Sequence, residues 1–163
     1  MITKVRKLEE LKSIVETLKS ARAKTIFANG CFDVLHVGHV RYLQDARLRG
    51  DVLIVGLNSD SSVRRLKGEG RPVLNQNARA VLLSALECVD HIIIFEDDTV
   101  DRLLVELKPL IHCKGSDYTP ESVPEKETVK NYGGSTSITG GEKVQSTRWL
   151  FDEIRRRYSI RPA

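Results

Sequence analysis

An open parallel α/β sheet with helices on both faces is the fold this sequence predicts, and three observations predict it. Short apolar runs of the kind buried as strands recur along the chain: Thr25-Ile26-Phe27-Ala28, Val52-Leu53-Ile54-Val55-Gly56-Leu57, His91-Ile92-Ile93-Ile94-Phe95 and Leu110-Ile111-His112-Cys113. Between them lie segments whose apolar residues fall at helical spacing, and this alternation implies parallel strands joined by right-handed crossovers. Three segments just beyond strand ends, Gly30 to His39, Asn58 to Asp60 and Lys114 to Tyr118, are polar or glycine-bearing. In an open α/β sheet ligands bind at that edge. A chain of 163 residues suffices for one domain with a real core.

Each element follows in order. Leu8, Leu11, Val15 and Leu18 stand at helical spacing within residues 4–20, which predicts an amphipathic helix packed on the domain or on a partner such as a second copy of the chain. After the first strand, Val40, Leu43 and Ala46 mark a helix from Gly38 to Arg49, stopped by Gly50. The second strand leads to a short helix through Leu66 that Asp60 can cap, then to the glycine-broken loop Lys67-Gly68-Glu69-Gly70-Arg71-Pro72. Ala78, Val81, Leu82, Ala85 and Leu86 predict a helix over about 77–89. Another starts near Thr99, capped by Asp98 or Thr99, and is ended by Pro109. A helix near 124–131, an edge strand near 135–139 and a final helix bearing Trp149, Leu150 and Ile154 complete the chain.

Lys and Arg outnumber Asp and Glu by 26 to 22, but the basic residues are scattered apart from Arg64-Arg65-Lys67 and Arg155-Arg156-Arg157. A nucleic-acid module concentrates its charge in a stripe, so no nucleic-acid partner is expected; the second run suits the dipole at a helix end. A small phosphate-rich substrate accounts for the excess as well. Cys31, Cys88 and Cys113 show no paired spacing, and their odd count without a secretory leader predicts the cytoplasm. No apolar run approaches the roughly 20 residues that span a bilayer, so no membrane partner is expected.

The stretch Asn29-Gly30-Cys31-Phe32-Asp33-Val34-Leu35-His36-Val37-Gly38-His39 holds two of the four histidines at a strand-to-helix turn. Unpaired backbone N–H groups and the helix dipole favour an anionic phosphate there. Gly30 permits close approach of backbone to phosphate, and His36 and His39 can donate ring N–H bonds to phosphate oxygens. Two such imidazoles suit charge growing on an α-phosphate as pyrophosphate leaves. A capping pair, or a metal-binding pair with Asp33 as third ligand, uses the same residues.

These residues, with Leu53 to Asp60, Arg65 to Pro72, Arg79, Ala85 to Asp90 and Lys114 to Tyr118, resemble the nucleotidyltransferase superfamily with the His-x-Gly-His motif. Within it the match is to the bacterial ADP-heptose synthases, the D-glycero-β-D-manno-heptose 1-phosphate adenylyltransferases, over residues 24–157. The resemblance implies a Rossmann-like fold, with residues 1–23 as an N-terminal helical extension and 24–163 as the nucleotidyltransferase domain. It implies transfer of AMP from ATP, accompanied by Mg2+, to a heptose 1-phosphate, giving ADP-heptose and pyrophosphate without a protein-held metal. His36, His39 and Lys67 would then be catalytic, with Lys67 a mobile phosphate ligand. Asn29, Gly30, Cys31, Phe32, Gly38, Arg79, Lys114, Gly115, Asp117, Ser146 and Thr147 would hold the nucleotide. Asp33, Asn58, Asp60 and Arg71 would face the sugar phosphate.

Plainer readings accompany several of these residues. Lys67 serves equally as a solvated lysine, Arg79 as surface charge in a first helical turn, Asp117 as a turn former, and Ser146 or Thr147 as a simple N-cap. Cys31 lies in the expected site without an orienting base other than His36, which suits packing better than nucleophilic catalysis. The family's Ser-Thr-Thr run before the last helix is Gln145-Ser146-Thr147 here, an amide replacing a hydroxyl at a phosphate contact. Two other functions remain: a cytidylyltransferase acting on glycerol 3-phosphate or another phospho-alcohol, and a non-catalytic nucleotide-binding module. The histidine pair speaks against the second, because a pure binder could use any phosphate donors.

Overall fold

The structure, a computed structural model, describes residues 4–142 and 146–158. In chain order its elements are α1 (Leu8–Ser20), β1 (Thr25–Gly30), α2 (Val37–Arg47), β2 (Val52–Asn58), α3 (Asp60–Lys67), α4 (Gln76–Ser84), β3 (His91–Phe95), α5 (Asp101–Leu107), β4 (Ile111–Gly115), α6 (Lys126–Asn131), β5 (Ser135–Thr139) and α7 (Thr147–Tyr158). The five strands run parallel in the order β3-β2-β1-β4-β5. The winding therefore reverses at β1, whose neighbours β2 and β4 lead the chain to opposite sides. A crevice beyond the carboxyl ends of these central strands follows from that topology.

Side chains alternate across each strand, so every central strand feeds two cores. Ile26, Ala28, Leu53, Val55 and Leu57 pack with Tyr42, Leu43 and Ala46 of α2 and with Ala80 and Leu83 of α4. Phe27 and Ile54 point the other way, onto Leu11 and Val15 of α1, Leu103, Leu104 and Leu107 of α5, and Val129 of α6. The apolar face of α1, the sequence's ground for a homodimer, is thus covered by the chain's own core. Ahead of α1, Val5 bridges Ile92 in parallel and the Arg6 N–H donates to the Ile92 carbonyl at 2.8 Å, which ties this segment to the sheet edge. Among the described residues no helix is long and apolar enough to cross a membrane.

Several element ends differ from the sequence reading for local reasons. The helix expected over 77–89 stops at Ser84, after which tight turns (Leu86 N–H to Leu83, Val89 N–H to Leu86) swing the chain into β3 while Val89 still reaches the core. Ser59, not Asp60, caps α3, its hydroxyl accepting from the Ser62 N–H. Asp98 does not cap α5, which starts later at Asp101; its carboxylate pairs with Arg65 at 2.7 Å instead. The helix expected from Gly38 begins one residue earlier because His36 is its N-cap.

Candidate active site

Both sequence-selected histidines lie on one wall of the crevice. His36 is extended (φ −139°, ψ 171°) and its Nδ1 accepts from the Gly38 N–H at 3.1 Å. That bond leaves Nε2 as the nitrogen that carries the proton. His39 follows one turn on, its ring stacked on that of His36 with centroids 3.9 Å apart and planes inclined by 25°. Its Nδ1 is buried and has no partner among the described residues. A bare lone pair is tolerated there better than an orphaned N–H, so the proton sits on Nε2. Burial pushes His39 down to about 4, the nearby charge of His36 acts in the same direction, and Asp33 opposes them. His39 therefore enters neutral solution as a neutral N–H donor, and the His36 Nε2 lies beside it as the second donor.

The turn between β1 and α2 is built to hold these rings. Phe32 adopts a left-handed backbone (φ 46°), which costs a non-glycine residue on the order of 1–3 kcal/mol. That conformation buries its ring edge-on to His39, centroids 5.2 Å apart, and against Tyr42 at 6.4 Å. A Cβ on Gly30 would come within 3.2 Å of the same ring. Tyr42 in turn donates to the Cys113 carbonyl at 2.8 Å and fastens α2 to β4. Phe32, expected against the nucleotide, thus supports His39 from behind. Burial raises the Cys31 thiol above its ordinary range, which fits packing and not an activated nucleophile.

Five residues assigned to ligands from the sequence are held by contacts within the chain. Arg79 is 1% exposed and donates to the Leu74 carbonyl (3.0 Å), the Cys31 carbonyl (2.5 Å), the Asn58 carbonyl (2.8 Å) and Asp60 Oδ1 (2.7 Å). Four of its five N–H donors are satisfied within the chain, so it fixes the loops around the crevice. Asp33 is 3% exposed; it accepts from Arg71 and from the N–H groups of Val73 (2.7 Å) and Leu74 (3.2 Å). Asp33 thus fastens the 71–74 segment to the turn after β1. Asn58 is buried and its Nδ2 donates to Ser62 Oγ at 2.9 Å. Asp60 is occupied by Arg79, and Arg71, besides holding Asp33, stands 5.1 Å over the Phe151 ring of α7.

Lys114 ends β4 on the other side of the crevice and is nearly buried, 8% exposed in its side chain. Its Nζ donates to Glu125 Oε1 at 3.0 Å and lies 5.0 Å from the Tyr118 ring centre. Its charge is therefore balanced by Glu125, a residue that the sequence reading placed only within a short helix near 124–131. Asn29 Oδ1 lies 2.9 Å from His112 Nε2 and 3.5 Å from Lys114 Nζ. His112, fully buried in β4, was legible only as a strand residue; burial first and Lys114 next push it down to about 3. Gly115 closes the strand with open space above it, and Asp117 sits in the exposed turn that follows. Lys67 ends α3, exposed, ahead of Gly68 (φ 91°) and Gly70 (φ 78°), left-handed turns that glycine adopts freely.

Ser146 Oγ accepts from the Trp149 N–H at 3.1 Å, so it is the N-cap of α7, and Thr147 is the first helical residue. Gln145, the departure from the family pattern, lies outside the described residues. Arg156 and Arg157 pair with Glu153 on the solvent face of α7. Among the described residues no three His, Cys, Asp or Glu side chains converge as a cation cage.

Two depressed imidazoles make stability depend on pH in one direction. His39 and His112 titrate near 4 and 3 in the fold against an ordinary 6.5, so the unfolded chain binds protons that the folded one refuses. Unfolding free energy falls as pH drops below about 6.5, by up to roughly 1.4 kcal/mol per pH unit for each histidine. Urea midpoints measured from about pH 7.5 downward should show this decline, and His39→Gln should make it shallower. A flat wild-type profile contradicts the buried neutral assignment.

Comparison with known proteins agrees with this arrangement. Residues 27–160 match the cytidylyltransferase-like family. A bifunctional protein HldE of Geobacter metallireducens is 50% identical over 155 residues, covering 95% of this chain and 32% of that protein. This chain accordingly spans about a third of the length of the curated relatives it matches. Among solved structures, the lipopolysaccharide core biosynthesis protein of Thermoplasma volcanium superposes with a TM-score of 0.61 at 29% identity, over 71% of this chain and 93% of that one. The pantoate-beta-alanine ligase of Francisella tularensis shares the fold, with a TM-score of 0.64 at 17% identity over 96% of this chain and 78% of its own. With the family matched over most of its length and the paired histidines at the switch point of the sheet, the chain belongs to the cytidylyltransferase-like family.

Proposed function

We propose that this chain is a nucleotidyltransferase that moves AMP from ATP to a heptose 1-phosphate, forming ADP-heptose and pyrophosphate. The stacked pair His36 and His39 at the mouth of α2 carries this reading. Half-identity to proteins named bifunctional supports it, since one of two activities fits in a third of their length. An acceptor phosphate oxygen attacks the α-phosphorus in line, the bond to the bridging oxygen breaks, and pyrophosphate leaves with the electron pair. The two Nε2–H groups donate to the oxygens on which charge grows, where preorganised donors lower the barrier most. Lys67, exposed at the end of α3 beside Gly68, meets the β- and γ-phosphates, and Ser146 and Thr147 offer the N-terminus of α7 to them.

Asn29, Gly115 and Asp117 line the nucleotide's side of the crevice in this reading, and Mg2+ arrives as part of the ATP substrate, held by phosphate oxygens and water. That fits a crevice whose carboxylates Asp33, Asp60 and Glu125 are paired with Arg71, Arg79 and Lys114, and Mg2+ prefers this mode of binding. Bound with the nucleotide, the ion would supply charge neutralisation on the phosphates.

The family's cytidylyltransferase-like description makes CTP the competing nucleotide, with glycerol 3-phosphate as the competing acceptor. Pyrophosphate release measured with each of the four common NTPs against heptose 1-phosphate and glycerol 3-phosphate separates them. ATP with heptose 1-phosphate should be fastest; CTP with glycerol 3-phosphate outpacing it contradicts the substrate assignment.

A further inference from the structure

The Asn29 side chain has two chemically opposite sides, an acceptor oxygen and a donor NH2. Lys114 fixes which way it points, because an ammonium only donates and its Nζ lies 3.5 Å from Oδ1. The shorter contact to the same oxygen, 2.9 Å from His112 Nε2, must then be a donation from that nitrogen. His112 Nδ1 is consequently bare, and it is indeed buried with no partner among the described residues. A lone pair bears that isolation better than an N–H does. A fully buried histidine between Ile111 and Cys113 is an expensive way to fill a strand that valine or leucine fills cheaply. Lys114 does not replace it as the anchor, since its short bond goes to Glu125.

With Oδ1 held from behind, the Asn29 NH2 turns away from His112 and Lys114, and no described residue accepts its protons. Asn29 stands at the carboxyl end of β1, one residue before Gly30 and on the strand that runs into the turn bearing His36 and His39. We propose that His112 is a positioning residue: through Oδ1 it orients the Asn29 amide so that its N–H donors meet a phosphate oxygen in the crevice. His112 itself touches no substrate. The phosphate belongs either to the nucleotide or to the acceptor, and in that respect the proposal rests on the transferase reading above.

Two-bond 1H–15N spectra of the full chain near neutral pH should show His112 as the neutral Nε2–H tautomer; the Nδ1–H form or an imidazolium overturns the proposal. The Asn29 Nδ2 resonances should move when a non-hydrolysable ATP analogue or the sugar phosphate is added. A shift in the first titration assigns the nucleotide's phosphate, a shift in the second assigns the acceptor's, and no shift in either overturns the proposal. In pyrophosphate release, Asn29→Ala and His112→Phe should each lower kcat/KM by on the order of 10-fold or more, the scale of one hydrogen bond to a charged group. The double variant should be no worse than Asn29→Ala, because His112 acts only through Asn29. His112→Gln, whose amide can still donate, should recover most of the loss. Additive losses, or a folded His112→Phe variant at the wild-type rate, overturn it. If the wild-type protein releases no pyrophosphate with any pair, the transferase reading fails, while the tautomer and the Asn29 titrations still decide this one.

Discussion

Replacing His39 by alanine should lower turnover by on the order of 100-fold or more, the scale seen when one preorganised charge-stabilising donor is removed, while ATP affinity changes only a few-fold. The asymmetry follows from the geometry. A neutral imidazole donates weakly to a ground-state phosphate that water and other groups already solvate. It gains most when negative charge builds on the α-phosphate oxygens. His39 is held for that moment by Phe32 at its edge and by the His36 ring stacked 3.9 Å away. Single-turnover rates and equilibrium ATP titration of the same variant separate the two effects. Equal losses in both would make the pair a uniform binding element and the chain a nucleotide binder.

Arg79→Met should be the most destabilising single change in the loops around the site. It leaves the Leu74, Cys31 and Asn58 carbonyls without their donor and Asp60 without its partner, in a place where the Arg79 side chain is 0% exposed. Removing one member of a buried ionic network costs about 3–5 kcal/mol, which for a domain of this size lowers Tm by roughly 10 °C or more. Thermal unfolding followed by circular dichroism measures it. An unchanged Tm with lost ATP affinity would instead make Arg79 the triphosphate ligand expected from the sequence.

The contrast between these two residues shows what the chain discloses and what it conceals. The histidines are three residues apart in sequence, and a strand, a glycine and a helix start suffice to place them together. The parallel sheet was legible for the same reason, because short continuous apolar runs and helical spacing are local signals. Arg79 occupies a first helical turn, where charge ordinarily meets solvent, and its burial is decided by carbonyls 48, 21 and 5 residues away. Asp33 likewise looks like an open carboxylate beside a phosphate turn until the 71–74 segment folds over it. Glu125 carries no local mark at all; only the return of the chain beside β4 sets it against Lys114. His112 did leave a trace, a lone polar side chain in an apolar strand, and that trace deserves a hydrogen-bond partner in any sequence reading.

The transfer itself is tested most directly by 31P NMR of the wild-type protein incubated with Mg2+, ATP and heptose 1-phosphate. Attack at the α-phosphorus predicts pyrophosphate together with a new pair of coupled diphosphate resonances from ADP-heptose, both vanishing in His39→Ala on the same timescale. Accumulation of ADP with a sugar bisphosphate, or of ADP with orthophosphate alone, would place the reaction at the γ-phosphate and contradict the role assigned to His36 and His39.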